Sequence, residues 1–192
     1  MKTTASDTFI SGKKVYLRAF ESHDLEMVTR IENHPDPRET LFYALPTNTE
    51  AQQDKIMSVV KDPNAILFTI CSKSDNQPVG QTALVRIDWI GKMGTFYLGI
   101  ADKENWSKGY GSETVMLMLD YAFNELNFNR VQLHVAEKNS AAVKIYKKHG
   151  FIVEGTLREA MFQHGKYWDF YLMGILKSDW DKNPENNTCS EN

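Results

Sequence analysis

The sequence predicts a single domain of mixed α/β class. Three observations carry that reading. Short runs alternate apolar and polar residues at the two-residue period of a strand, as in K-V-Y-L-R-A-F, Lys14 to Phe20. A longer stretch places Val115, Leu119, Ala122, Phe123 and Leu126 on one stripe at helical spacing. Between a strand end and that helix stands W-S-K-G-Y-G-S-E, Trp106 to Glu113, with two glycines one residue apart.

The elements follow in order. Met1 to Thr8 reads as a loose start. After the Lys14–Phe20 strand, Ser22 to Asn33 is helical, with Leu25, Val28 and Ile31 on an inner face, and His34 to Pro37 breaks it. Thr49 and Gln52 have the spacing of a capping box for a helix running to about Val60. Ala65–Ser72 is a buried strand by composition. Val79–Asp88 and Thr95–Ala101 are two further strands, joined by a turn at Gly91 to Gly94. A helix covers Gly109 to Leu126. Val131–Ala136 is a strand, Ser140–His149 a helix, and Phe151–Leu157 and Tyr167–Ile175 are the last strands. The order is β-α-α-β-β-β-α-β-α-β-β. The domain is expected to span 1–180, and 181–192 is a polar tail expected to be disordered.

Bulk properties exclude several classes. A chain of 192 residues suffices for one sizeable core. The net charge of -3 gives no basic footprint for nucleic acid. No apolar run is long enough to span a bilayer, and no signal peptide is visible. Cys71 lies in an apolar run and Cys189 in a polar stretch, which argues against a structural disulfide and for a cytoplasmic location. Neither cysteine has a ligand-like neighbour, so no metal is expected.

The glycine turn is the first candidate site. The opening turn of a helix offers N–H groups without internal partners, and phosphate is a strong acceptor. Gly109 and Gly111 would let the backbone approach such a ligand, with Lys108 adding positive charge. A tight strand-to-helix turn with no ligand explains the same residues. A dinucleotide fingerprint is disfavoured because the third glycine position is Thr114, and a P-loop because the Gly-Lys-Ser/Thr ending is absent.

At this point the sequence resembles the GNAT superfamily of N-acetyltransferases. The superfamily's acetyl-CoA signature is Q/R-x-x-G-x-G/A; here it reads W-S-K-G-Y-G, with Trp106 where Gln or Arg is commonest. A second motif, N-x-x-A-x-x-x-Y-x-K-x-G-F, is matched by Asn139, Ala142, Tyr146, Lys148, Gly150 and Phe151. The closing E-G-T-L-R-E-A-M-F-Q-H-G-K-Y-W-D-F resembles the RimJ/RimL subgroup, which includes protein N-terminal and polyamine acetyltransferases.

The resemblance implies a GNAT fold: a central, mostly antiparallel twisted sheet, splayed between its fourth and fifth strands and flanked by about four helices. It implies acetyl-CoA as acetyl donor, entering that gap. Ile100, Ala101 and Asp102 would bond the pantetheine arm through backbone groups. Trp106, Ser107, Lys108, Gly109, Tyr110, Gly111 and Ser112 would wrap the pyrophosphate. Asn139 and Ala142 would meet the pantetheine, and Lys148 offers charge to an anionic phosphate. A homodimer is a family expectation.

Implied chemistry is attack of a primary amine on the thioester. Tyr146 is the candidate catalytic residue, a phenol within reach of the departing thiolate; a half-buried tyrosine packing on the sheet is the plainer alternative. Glu113, Glu159 and Asp169 are candidate bases, each with an ordinary structural explanation. An α-amino group, with a pKa of about 8, needs less help than an alkylamine at about 10.4. Glu39, Tyr43, Trp89 and Phe162 are candidates for selecting the amine, whether a protein N-terminus, a polyamine or another small amine; Tyr43 and Trp89 serve equally as core or dimer contacts. A non-catalytic acyl-CoA-binding module remains the competing function.

Overall fold

The computed structural model describes residues 8–41 and 43–183, so most of the expected loose start and polar tail, with Cys189, lies outside the described residues. Eight strands form one sheet in the order β1-β2-β3-β4-β5-β6-β8-β7. They are β1 Ile10–Ser11, β2 Val15–Arg18, β3 Ile66–Ser72, β4 Pro78–Asp88, β5 Met93–Ile100, β6 Arg130–Ala136, β7 Ile152–Gln163 and β8 Lys166–Leu176. Neighbours are antiparallel except β5 and β6, which run parallel. The helices are α1 Leu25–Asn33, α2 Pro35–Thr40, α3 Thr49–Lys61, α4 Tyr110–Asp120, α5 Ser140–Lys148 and α6 Lys177–Trp180.

Two apolar clusters sandwich the sheet. Val115, Leu119 and Phe123 pack on Val15, Leu17, Phe68, Ile70 and Leu84 on one face. Met27, Val28, Ile31 and Ile56 form the other, with Leu67 against them. Leu67 and Phe68 thus point to opposite faces, as the pleat requires.

Several boundaries differ from the sequence reading for physical reasons. β1 is not foreseen in the sequence, and β2, expected to reach Phe20, stops at Arg18, whose side chain lies in the interior, 1% exposed, where it meets Asp24. Two Arg18–Asp24 hydrogen bonds of 2.7 Å and one of 2.8 Å from the Thr69 hydroxyl satisfy the buried carboxylate. Burial favours the neutral acid, but the Arg18 guanidinium and the Glu21 amide outweigh it and hold the Asp24 carboxyl below its usual range.

His34 ends α1, yet Pro35–Pro37 starts α2 instead of breaking the chain's helicity. Proline fits a first helical turn because its missing N–H has no partner there in any case. The cap of α3 is Asn48, whose side chain accepts the Ala51 N–H at 2.8 Å, one residue ahead of the expected Thr49. α4 ends at Asp120 and continues as a π turn over Tyr121–Glu125, where the Leu126 N–H reaches the Tyr121 carbonyl at 3.0 Å. The last hairpin is longer than expected. His164 and Gly165 turn it with φ of 53° and 73°, and irregular register between Leu157 and Met161 hides the alternation in the sequence.

Candidate active site

β5 and β6 pair only from Met93 to Thr95, against Arg130 to Gln132. Beyond that the strands diverge, because β5 stays with β4 while β6 follows β8. The wedge opens into a cleft of about 940 Å³.

The turn before α4 forms one wall. Gly109 has a φ of 89°, and a Cβ there would meet the Lys14 ammonium at 2.8 Å, so glycine is dictated at this position. Ser107 also holds a positive φ, 61°, an uncommon state for a side-chain-bearing residue. The first helical bond runs from the Glu113 N–H to the Gly109 carbonyl at 3.0 Å, which leaves the amides of Tyr110, Gly111 and Ser112 ahead of it without a helical acceptor. Gly111 is less demanding: a Cβ would stand in ordinary contact with Leu98, 3.5 Å away. Lys14 donates to the Lys108 carbonyl at 2.8 Å and pins the turn. The turn is thus a cradle of free amides whose shape depends on a missing side chain, and it suits a pyrophosphate.

Of the residues the sequence singled out for the cofactor, Ile100, Trp106, Ser107, Gly109, Tyr110, Gly111, Ser112, Asn139 and Ala142 line this cleft. Four others stand apart from its lining. The Ala101 N–H goes to the Val79 carbonyl at 2.9 Å. Asp102 is held by Arg30 at 3.0 Å. Lys108 reaches the Asn105 side chain at 3.1 Å, and Lys148 lies exposed in the last turn of α5. The Trp106 indole N–H makes a long contact, 3.4 Å, with the Ile100 carbonyl.

α5 brings Tyr146 to the cleft. Asn139 caps it, accepting the Ala142 N–H at 3.2 Å, and Gly150 closes it with a φ of 93°. Tyr146 is 7% exposed, with Phe96 and Phe151 edge-on at 6.2 and 5.7 Å. Burial, aided by neighbouring Tyr97, pushes its hydroxyl well above the ordinary phenol range. Among the described residues no group shares a hydrogen bond with that hydroxyl, so it is a protonated donor facing the cleft.

The proposed acceptor-selecting residues scatter. Tyr43 joins the second apolar cluster and shares a hydrogen bond of 2.5 Å with Tyr97. Burial pushes the Tyr43 hydroxyl up to about 12 and Tyr97 well above its usual value. Glu39 pairs with His164 at 2.8 Å. Trp89 stacks edge-on with Phe128 at the β4–β5 turn, and exposed Phe162 packs on Tyr167 in the hairpin. The candidate bases also have structural work. Glu113 accepts the Lys13, Lys14 and Val15 amides at 2.7, 2.7 and 2.9 Å, and Asp169 accepts the Glu159 amide at 2.8 Å.

Sequence reasoning missed Tyr97, Arg86 and His134, all of which line the cleft. The available signal was a polar residue interrupting an apolar strand, as Arg86 does in A-L-V-R-I.

This geometry agrees with known proteins. A family model described as the acetyltransferase (GNAT) domain matches residues 14–152. Spermidine N(1)-acetyltransferase of Vibrio cholerae is 29% identical over 169 residues, covering 88% of this chain and 96% of that protein. The Escherichia coli K12 spermidine N(1)-acetyltransferase is 28% identical over 170 residues, covering 88% and 90%. The crystal structure of the Vibrio cholerae spermidine N-acetyltransferase in complex with CoA and spermine superposes with a TM-score of 0.81 at 27% identity, covering 89% of this chain and all of that one. A wedge between parallel strands, a glycine cradle and a matching family model converge: the chain is a GNAT-family acetyltransferase.

Proposed function

We propose that the protein is an N-acetyltransferase that moves the acetyl group of acetyl-CoA onto a small primary amine by direct attack. One observation carries this reading. The Tyr146 hydroxyl and the free amides at the start of α4 open into the same cleft. The spermidine acetyltransferases among its relatives support a small amine as acceptor.

Acetyl-CoA supplies a thioester as the acyl donor. The α4 turn would hold its pyrophosphate through the Tyr110, Gly111 and Ser112 amides. Apolar residues of β5 and α5, Leu98 and Ile145 among them, would flank the arm. The acceptor nitrogen forms a bond to the carbonyl carbon, and the carbon–sulfur bond breaks. Tyr146 gives its proton to the thiolate sulfur; the new ammonium loses a proton to water, and solvent restores the phenol. Burial keeps the phenol protonated through the neutral range, the state a proton donor needs at the outset.

We read the described span as one acetyltransferase domain of the RimJ/RimL-like kind, with its subgroup pattern forming the β7–β8 hairpin. Exposed Ile152 and Val153 on edge strand β7 favour a second copy of the chain there. The free thiol of buried Cys71 suits a reducing cytoplasm.

The test is release of free thiol from acetyl-CoA with a panel of amines. Turnover supports the reading. Protection of the protein by acetyl-CoA with no turnover on any amine would favour the non-catalytic acyl-CoA-binding module.

A further inference from the structure

β4 carries an irregularity that a uniform strand would not. Its register with β5 shifts between Val85 and Asp88, and Arg86 there has a φ of 52°. In a regular strand Leu84 and Arg86 would share a face. Here Leu84 and Ile87, three apart, are both buried in the core, 0% and 5% exposed. The two residues between them, Val85 and Arg86, both line the cleft. The bulge therefore places a cationic, exposed residue on the wall of the cleft. A left-handed non-glycine residue costs energy, and such residues concentrate at functional positions.

The electrostatic lining is one-sided. Among the described residues no Asp or Glu lines the cleft, whereas the Arg86 cation does. Among the described residues Arg86 has no ion-pair partner. Carboxylates nearby are committed elsewhere: Glu32, whose charge is felt by Tyr43 and Tyr97, is paired with Lys55 at 2.7 Å, and Glu39 with His164. Leu41, Leu157 and Phe170 supply apolar wall. A polycation entering here would lose water around each ammonium, gain no carboxylate and meet a guanidinium.

Resting on the acetyltransferase reading, we propose that the acceptor is a small amino carboxylate with an apolar side chain, its carboxylate held by Arg86, and not a polyamine. The guanidinium fork matches a carboxylate in two parallel hydrogen bonds. The α4 cradle takes the donor, which leaves the Arg86 wall for the acceptor. Positive charge beside the bound amine also favours its neutral, nucleophilic form.

The experiment compares kcat/KM for L-leucine and L-phenylalanine with their decarboxylated counterparts, 3-methylbutylamine and phenethylamine, and with spermidine, using the full chain and acetyl-CoA. The amino acids are expected to exceed the matching amines by about tenfold or more, with spermidine below both. Arg86→Asn, a residue that tolerates positive φ, collapses that ratio toward one, and Arg86→Lys restores part of it. A wild-type ratio near one, spermidine as the best substrate, or an unchanged ratio in Arg86→Asn overturns the proposal while leaving the acetyltransferase reading intact. If Arg86→Asn fails to fold, the wild-type ratio decides alone. No thiol release with any amine overturns both.

Discussion

The hydroxyls of Tyr43 and Tyr97 lie 2.5 Å apart and join the segment between α2 and α3 to strand β5 beside the cleft. Gly99 makes this possible, since a Cβ there would come within 2.9 Å of the Tyr97 hydroxyl. Tyr97→Phe leaves the Tyr43 hydroxyl buried without its partner and is expected to cost about 1–3 kcal/mol. Adding Tyr43→Phe removes the orphan, so the double variant costs less than the sum of the singles. Urea midpoints of the four proteins measure the cycle; strict additivity would show that the bond contributes nothing.

The raised phenols make stability fall in alkali. Below pH about 10 the tyrosines are neutral in both folded and unfolded chains, so their contribution is fully present. As pH rises from about 10 toward about 12 the unfolded phenols ionise while Tyr43 stays protonated, and stability drops by up to about 1.4 kcal/mol per pH unit for each such group. Tyr97 and Tyr146 shift in the same direction. Removing Tyr43 with Phe flattens this limb of a melting-temperature profile; an unchanged slope would refute the assignment.

Tyr146→Phe keeps the ring contacts with Phe96 and Phe151 and deletes only the proton donor. The expected effect is a fall in kcat of about a hundredfold or more, with acetyl-CoA affinity nearly unchanged. Single-turnover thiol release and a separate binding titration divide the two quantities. Unaltered kcat would take Tyr146 out of the reaction.

Asp24→Asn strands the Arg18 guanidinium in the core without a countercharge. About 3–5 kcal/mol of stability is expected to disappear, with kcat of the surviving folded fraction little affected. In the unaltered protein, Asp24's contribution is present above the ordinary carboxylate pKa and is lost as pH falls through its lowered folded value. A loss below about 1 kcal/mol by guanidinium titration would show that the pair contributes little net stability.

Gly109→Ala forces a side chain into the left-handed region and against Lys14. About 1–2 kcal/mol of strain is expected, together with weaker acetyl-CoA binding; Gly111→Ala, with ordinary contacts, is the milder change. Equal effects of the two on cofactor dissociation constants would contradict the cradle described above.

Much of this was legible in the residues, and the failures have causes. Val115 and Leu119 reveal their face through helical periodicity, whereas Leu67 and Phe68 stand in an unbroken apolar run that marks a buried strand by composition without telling its two faces apart. The α4 turn was legible because Gly109 answers a backbone demand that few residues meet. Tyr97 was not, because its place at the cleft depends on a divergence between strands far apart in sequence; Arg86 showed only as a polar residue in an apolar run, and its place in the cleft depends on a bulge. Glu113 was misleading for a similar reason: its partners are three amides about a hundred residues away. His34–Pro37 misled because proline has opposite meanings inside a helix and at its start.

The three residue pairs between Met93–Thr95 and Arg130–Gln132 are the whole of the ladder linking β1–β5 to β6–β8. The sheet is in this sense two panels sewn along a short seam, and whatever fills the wedge becomes a strut between them. Amide exchange along the unsewn edges of Phe96–Ile100 and Leu133–Ala136 should therefore slow together on saturation, making occupancy of the gap a mechanical property of the whole molecule as well as a chemical one.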